Sequence, residues 1–358
     1  MTVTLEDLGG WPFILGRLSS RHDLSSTEAA AALTDVFQGN ATPSQLAAFI
    51  FGLRCKGETV DEMNGLVQAM LAAAELVTLA EPLAARVVDT CGTGGDRSGT
   101  INVSTIAAFV VAGAGVPVCK HGNRGISSKA GSADLLEALG VAINLGPAQV
   151  AACVEGAGIG FCFAPRFHPS MRYAGPTRKE LGVPTVFNFI GPLANPALTR
   201  RQVVGVSDPT MADKMVGVLA ANGATHTLVV YGHDGLDELT TTDCSTVLES
   251  WLDGSGQRHA RRYQFDPSSL GLPRVTRAEL LGGDVATNVL LARRVLGGEK
   301  GPRRDIVLLN AAAGLIVAGE AADLADGLGI ARSALDDGRA ADRLARLVST
   351  SQELAESS

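Results

Sequence analysis

The segment Asp89-Thr90-Cys91-Gly92-Thr93-Gly94-Gly95-Asp96 and the later Lys120-His121-Gly122-Asn123-Arg124 are the residues best suited to chemistry. Glycines allow the positive-φ turns that aim several backbone N–H groups at one anion. The first stretch lacks the Lys-Ser/Thr of a nucleotide-binding P-loop, and Arg97 breaks the dinucleotide pattern G-x-G-x-x-G. Thr100, Asn102, Val103, Ser104 and Thr105 follow, opening an apolar helix whose N-terminus suits a phosphate. The second stretch supplies the cations Lys120 and Arg124, a histidine and an amide, then the hydroxyl-rich arm Gly125 to Ser128 and a helix opened by Gly131-Ser132. His121 suits either orienting a neighbour or touching a substrate. Two anion-binding loops with a cation and an acidic residue fit a phosphorylated sugar that also carries a pyrophosphate.

Asp237-Glu238 follows an apolar strand. Adjacent carboxylates at a strand end suit Mg2+, which takes oxygen ligands and bridges to substrate phosphates, although a solvated acidic turn has the same pattern. Arg178, in Thr177-Arg178-Lys179-Glu180, has the fork that grips a carboxylate, and equally the spacing of a surface helix. Phe163-Ala164-Pro165-Arg166-Phe167-His168-Pro169 suits the wall of a small aromatic pocket or a hinge between lobes.

These residues need a scaffold. Residues 1–80 read as helices: Ser25/Glu28 and Thr59/Glu62 have capping-box spacing, and Thr42-Pro43 starts a third helix. Beyond Pro82 the pattern alternates between strand and helix, with strands at Arg86–Asp89, Val116–Cys119, Ile159–Phe163, Gln202–Val206 and Thr227–Tyr231. Helices are expected at Val103–Ala112, Ser132–Leu139, Thr210–Ala221, Val285–Leu296 and Asp305–Ala318 and from Ala321 onward, with a polar hairpin tip at Ser255–Arg262. This grammar predicts an α/β fold with a mainly parallel sheet, whose ligands bind at the carboxyl ends of the strands. The expected division is a helical domain at 1–80, joined by helices returning from about 165–190, and an α/β domain at 81–350. A net charge of −7 and 4% aromatic residues argue against a general nucleic-acid surface. Six scattered cysteines form no C-x-x-C pair, so zinc and redox readings gain nothing. Neither a signal peptide nor a membrane span is visible, which predicts a cytoplasmic protein.

Taken together, these motifs resemble anthranilate phosphoribosyltransferase, of the nucleoside phosphorylase-like transferase fold. The resemblance spans nearly the whole chain: Gly92 to Asp96, Asn102 to Thr105, Lys120 to Arg124, Gly131 to Asp134, Phe163 to Pro169, Arg178 to Gly182, Phe187-Asn188, Gly191 to Leu193, Asp237-Glu238, Gly282 to Asp284 and Asn310 to Ala312. It implies transfer of 5-phosphoribosyl from phosphoribosyl pyrophosphate to the amine of anthranilate, in tryptophan biosynthesis. By motif position, Gly92, Gly95, Asp96, Thr100, Asn102, Val103, Ser104, Thr105, Lys120, Ser128 and Ser132 would hold the donor. Ser104, Asp237 and Glu238 would bind Mg2+, and Gly92, Asn123 and Arg178 would meet anthranilate. Lys120 would stabilise the leaving group, Arg178 would position the acceptor, and no general base is expected. A homodimer through the helical domain is also implied. Arg97 departs from the family's usual glycine, Gly125-Ile126 from its small or β-branched residues, and Pro184 from a frequent arginine. The alternatives are a pyrimidine nucleoside phosphorylase of the same fold, a nucleic-acid-binding relative without activity, and a paralogue acting on a substituted anthranilate.

Overall fold

The structure, a computed structural model, describes residues 3–125 and 129–357. The first helices begin where their caps dictate. Ser25, Thr42 and Thr59 each accept a hydrogen bond from the backbone three residues on, and Glu28, Gln45 and Glu62 reach back to the capping residue. Each such cap satisfies two N–H groups that the helix itself leaves unpaired.

Among the described residues, seven strands form one sheet in the order β3-β2-β1-β4-β5-β6-β7. They are β1 (Val88–Gly92), β2 (Val118–Gly122), β3 (Ile159–Phe163), β4 (Arg201–Gly205), β5 (His226–Gly232), β6 (Ser245–Leu252) and β7 (Arg258–Phe265). The pairings from β3 to β5 are parallel, and β6 and β7 add antiparallel at one edge. The sheet is therefore mainly parallel, as expected.

Two boundaries differ usefully from expectation. A helical turn at Leu83–Arg86 delays β1, which then runs on through Gly92. β2 likewise continues through Lys120 and His121, so these belong to the strand, and alternation sends their side chains to opposite faces. The expected hairpin tip is corrected. The turn lies at residues 253–257, and Arg258–Phe265 is an edge strand. Its run of charged, largely exposed side chains hides the strand period and protects an open sheet edge.

One hydrophobic cluster joins the N-terminal helices to Val204, Val206, Val229 and Tyr231, and segment 174–194 returns to it through Ala174, Phe187 and Ile190. The other cluster buries the helices Val103–Gly113 and Pro302–Ala318 and the C-terminal helices. Among the described residues, no helix is long and apolar enough to cross a membrane.

Candidate active site

The carboxyl ends of β1 and β4 lie side by side, with Gly92 paired to Gly205. The turn after β5 folds over both. A Cβ on Gly92 would lie 2.4 Å from Asp237 Oδ2, and one on Gly205 would lie 1.6 Å from the Asp237 carbonyl oxygen. Both positions are glycine because Asp237 occupies the space where a side chain would start. Asp237 Oδ2 accepts a hydrogen bond from Gly94 N at 2.7 Å, and Glu238 Oε1 accepts one from Ser104 N at 3.2 Å. The acidic turn, the first glycine loop and the N-terminus of the helix Val103–Gly113 thus form one assembly. Gly94 and Asp237, joined by one of these bonds, lie 143 residues apart in sequence.

Burial raises the proton affinity of both acids. Asp237, with Asp96 also beside it, is pushed up to about 7. Glu238 is held well above the usual carboxylate range by burial first and by Asp237 second. Desolvated, mutually repelling carboxylates at a strand end call for a cation. Among the described residues, no group of three or more His, Cys, Asp or Glu side chains could hold a metal by itself. A divalent ion here would therefore rely on two protein carboxylates and take its remaining positions from hydroxyl, water or substrate oxygens, which is the habit of Mg2+.

The loop between these anchors is laced to the segment that follows β4 and to itself. Ser207 Oγ donates to Gly94 O at 2.8 Å, and Ser207 N donates to Thr93 Oγ1 at 3.1 Å. Ser98 N donates to Asp96 Oδ1 at 3.1 Å, and the hydroxyls of Ser98 and Thr100 are 3.1 Å apart. Thr100 bridges Leu281, while Gly282 N donates to Gly99 O at 2.9 Å, so the Gly282-Gly283-Asp284 motif buttresses the loop's far end. Arg97 has φ 52°, the left-handed conformation that glycine enters at no steric cost.

Lys120 is buried, and its ammonium donates to Thr90 O. It also stands near the buried Asp89 and the half-buried Glu238 carboxylates and favours their charged forms, against desolvation. Asp89 had no assigned role in the sequence reading. It is gripped by Asn195 Nδ2 at 2.8 Å and by His121 N at 3.3 Å. Its position at the head of the glycine loop was the available signal. Asn102 Nδ2 donates to Ala130 O at 3.0 Å and ties the first loop to the second, while its Oδ1 is buried with no partner among the described residues. Thr105 is buried in the helix behind it.

The second loop folds back on itself. Ser132 Oγ and Ala133 N both donate to Asn123 O, at 3.2 and 3.1 Å. Arg124 is not the free cation that its position suggested. Its guanidinium is paired with Asp134 at 2.9 Å and Glu137 at 2.8 Å on the next helix, and lies over the Phe163 ring. Ser128, expected on the donor, lies outside the described residues.

His121 faces His168, with ring centroids 5.1 Å apart. Burial holds both well below the usual imidazole range, His168 at about 4, so both are neutral near pH 7. Arg178, on the helix Gly175–Leu181, is half-buried with its guanidinium 5.0 Å from the Phe187 ring centroid. It has no ion-pair or side-chain hydrogen-bond partner among the described residues, and burial alone lowers its pKa. A desolvated, unpaired guanidinium stacked on an aromatic ring is suited to an incoming carboxylate.

Residues 84–341 match the glycosyl transferase family, a/b domain, and residues 13–74 match the glycosyl transferase family, helical bundle domain. The anthranilate phosphoribosyltransferase of Roseiflexus castenholzii is 52% identical over 331 residues, covering 92% of this chain and 95% of that protein. That of Thermomicrobium roseum is 50% identical over 343 residues, covering 96% and 97%. The crystal structure of anthranilate phosphoribosyltransferase from Thermus thermophilus matches with a TM-score of 0.87 at 40% identity, covering 95% of this chain and 99% of that one. The Saccharomyces cerevisiae enzyme in complex with PRPP and Mg matches with a TM-score of 0.86 at 27% identity, covering 96% and 98%.

Proposed function

We infer the reaction from this kinship and from the site: the chain belongs to the anthranilate phosphoribosyltransferase family of glycosyl transferases, and we propose that it transfers the 5-phosphoribosyl group of phosphoribosyl pyrophosphate to the amine of anthranilate, releasing pyrophosphate. The observation that carries this reading is the packing of Asp237-Glu238 onto the Gly92–Asp96 loop, which places cation ligands beside an anion-binding loop. Phosphoribosyl anthranilate would then serve tryptophan biosynthesis.

In this reading Gly92, Gly95, Asp96, Thr100, Asn102, Val103, Ser104, Thr105, Lys120 and Ser132 hold the donor, with Ser128 from the arm. The unpartnered Asn102 Oδ1 supports this, since a ribose hydroxyl would satisfy it. Ser104, Asp237 and Glu238 hold Mg2+, which when bound neutralises charge building on the departing pyrophosphate. Lys120 adds a fixed positive charge in the same buried region. Gly92, Asn123 and Arg178 meet anthranilate, with Arg178 orienting it by its carboxylate. An aryl amine is neutral near pH 7 and needs positioning more than deprotonation, so none of these residues is assigned as a general base.

We also propose that residues 1–80, with the segment returning at about 165–190, act as one lobe against 81–350, and that the protein is a cytoplasmic homodimer through the helical lobe. Exposed Phe13 and Phe51 on that lobe support the last point.

The test is the loss of anthranilate fluorescence on adding the donor with Mg2+. Decay that requires both supports the reading, and its absence with folded protein rejects it. In the same assay Arg178→Ala should raise the anthranilate KM by about tenfold or more, the loss of a charged hydrogen-bonded pair. An unchanged KM would remove Arg178 from the acceptor site.

A further inference from the structure

We propose that Asn310 is a positioning residue that fixes the Asp237-Glu238 pair for its cation, an inference that rests on reading that pair as the metal site. From Ile306 to Val317 every residue of the helix Pro302–Ala318 is buried, and Asn310 is the one polar side chain among them. A buried amide is costly unless its hydrogen bonds are made. Asn310 makes three. Oδ1 accepts from Leu239 N at 3.0 Å, and Nδ2 donates to Leu239 O at 2.8 Å and to Ile306 O at 2.9 Å.

Leu239 directly follows Glu238, and its side chain is fully buried. Among the described residues its backbone N–H and C=O bond to Asn310 and to nothing else. The rest of the turn is held locally, through Gly232 N to Leu236 O at 2.9 Å and Thr240 N to Ser245 Oγ at 2.9 Å, and by its two carboxylates, which accept from Gly94 N and Ser104 N. Asn310 is therefore the polar tie between the backbone of the acidic turn and the helix Pro302–Ala318. That helix also seats the other side of the site. A Cβ on Gly314, one turn further on, would meet Val111 Cγ2 at 2.7 Å and Thr90 Cγ2 at 3.5 Å, and Thr90 O is the acceptor for Lys120. One helix thus references both the carboxylates and the lysine. Core filling does not call for an amide here, because a leucine would fill the same volume without needing partners.

The test is Mn2+ binding, read by electron paramagnetic resonance of the free ion, alongside the anthranilate KM. Asn310→Leu removes both bonds to Leu239. Asn310→Asp keeps the acceptor for Leu239 N–H but sets an oxygen against Leu239 O. Either variant, once shown by thermal melting to be folded, should bind Mn2+ about tenfold or more weakly, the usual cost of losing the support behind a metal ligand. The anthranilate KM should be unchanged. Wild-type Mn2+ affinity in a folded variant, or an equal loss in both readouts, overturns the proposal, and failure of both variants to fold assigns Asn310 to the core instead. Asp237→Asn with Glu238→Gln is the control. If it binds Mn2+ as well as the wild type does, the metal reading itself has failed, whatever Asn310 does.

Discussion

The two glycine-rich regions are built by opposite means. The first, at Gly92–Asp96, is clamped from a distance: Asp237 presses into the space over Gly92 and Gly205, and Leu236 and Leu239, on either side of the acidic pair, are fully buried. The second, described over residues 120–125 and 129–132, is anchored by a strand at one end and held beyond it by local contacts, chiefly Arg124 with Asp134 and Glu137 at partly exposed positions. Buried close contacts admit one geometry, because packed interiors have no slack. Exposed ion pairs contribute little and are screened by salt. The metal side of the site is thus preorganised, whereas the described part of the second region relies on contacts that yield more readily.

The largest effect should come from Gly205→Ala, whose methyl group would overlap the Asp237 carbonyl. Overpacking of this kind costs about 1–3 kcal/mol and sometimes more. The variant should melt well below the wild type and lose most transfer activity. Near-normal melting and turnover would show that the turn can move aside, and the contrast between the regions would collapse.

Next comes the response to Mg2+ and pH. The folded Asp237 pKa of about 7 exceeds its ordinary value of 3.8, so between these values the apo fold holds a proton that the unfolded chain has released. The group's contribution to apo stability therefore falls as pH rises through that window. Mg2+ binds the deprotonated form, so a fixed Mg2+ concentration should raise Tm more at pH 8 than at pH 6. An equal or reversed response would place the ion elsewhere.

The smallest effect belongs to Arg124→Ala. Exposed pairs are worth about 0.2–1 kcal/mol, so Tm should fall by only a few degrees, and less at high salt. A collapse in stability would mean that the second region is as rigidly built as the first.

How much of this was legible in the sequence follows from the same contrast. The capping boxes, the parallel core of the sheet and the glycine clusters rest on local spacing, and the chain displays them openly. The reason for Gly92 does not show, because the atom that demands it belongs to a residue far along the chain. Arg124 misleads for a nearer reason: its acidic partners lie on the following helix, one turn apart, and a motif read up to Arg124 stops short of them. β7 was hidden by its charges, whereas Asn310 stood in a recognised motif and only its partner, Leu239, 71 residues away, was out of sight. Spacing reports what a segment can be, whereas partners across the fold decide what its side chains are free to do.

The central claim is that the Asp237-Glu238 turn makes the first glycine loop a metal-dependent donor site. The direct test compares Mg2+-dependent transfer to anthranilate in the wild type and in Asp237→Asn with Glu238→Gln. The account predicts a folded double variant whose activity falls on the order of a hundredfold or more, the scale of losing several kcal/mol of metal-based stabilisation, with anthranilate binding preserved. Wild-type turnover and an unchanged Mg2+ dependence in that variant would contradict it.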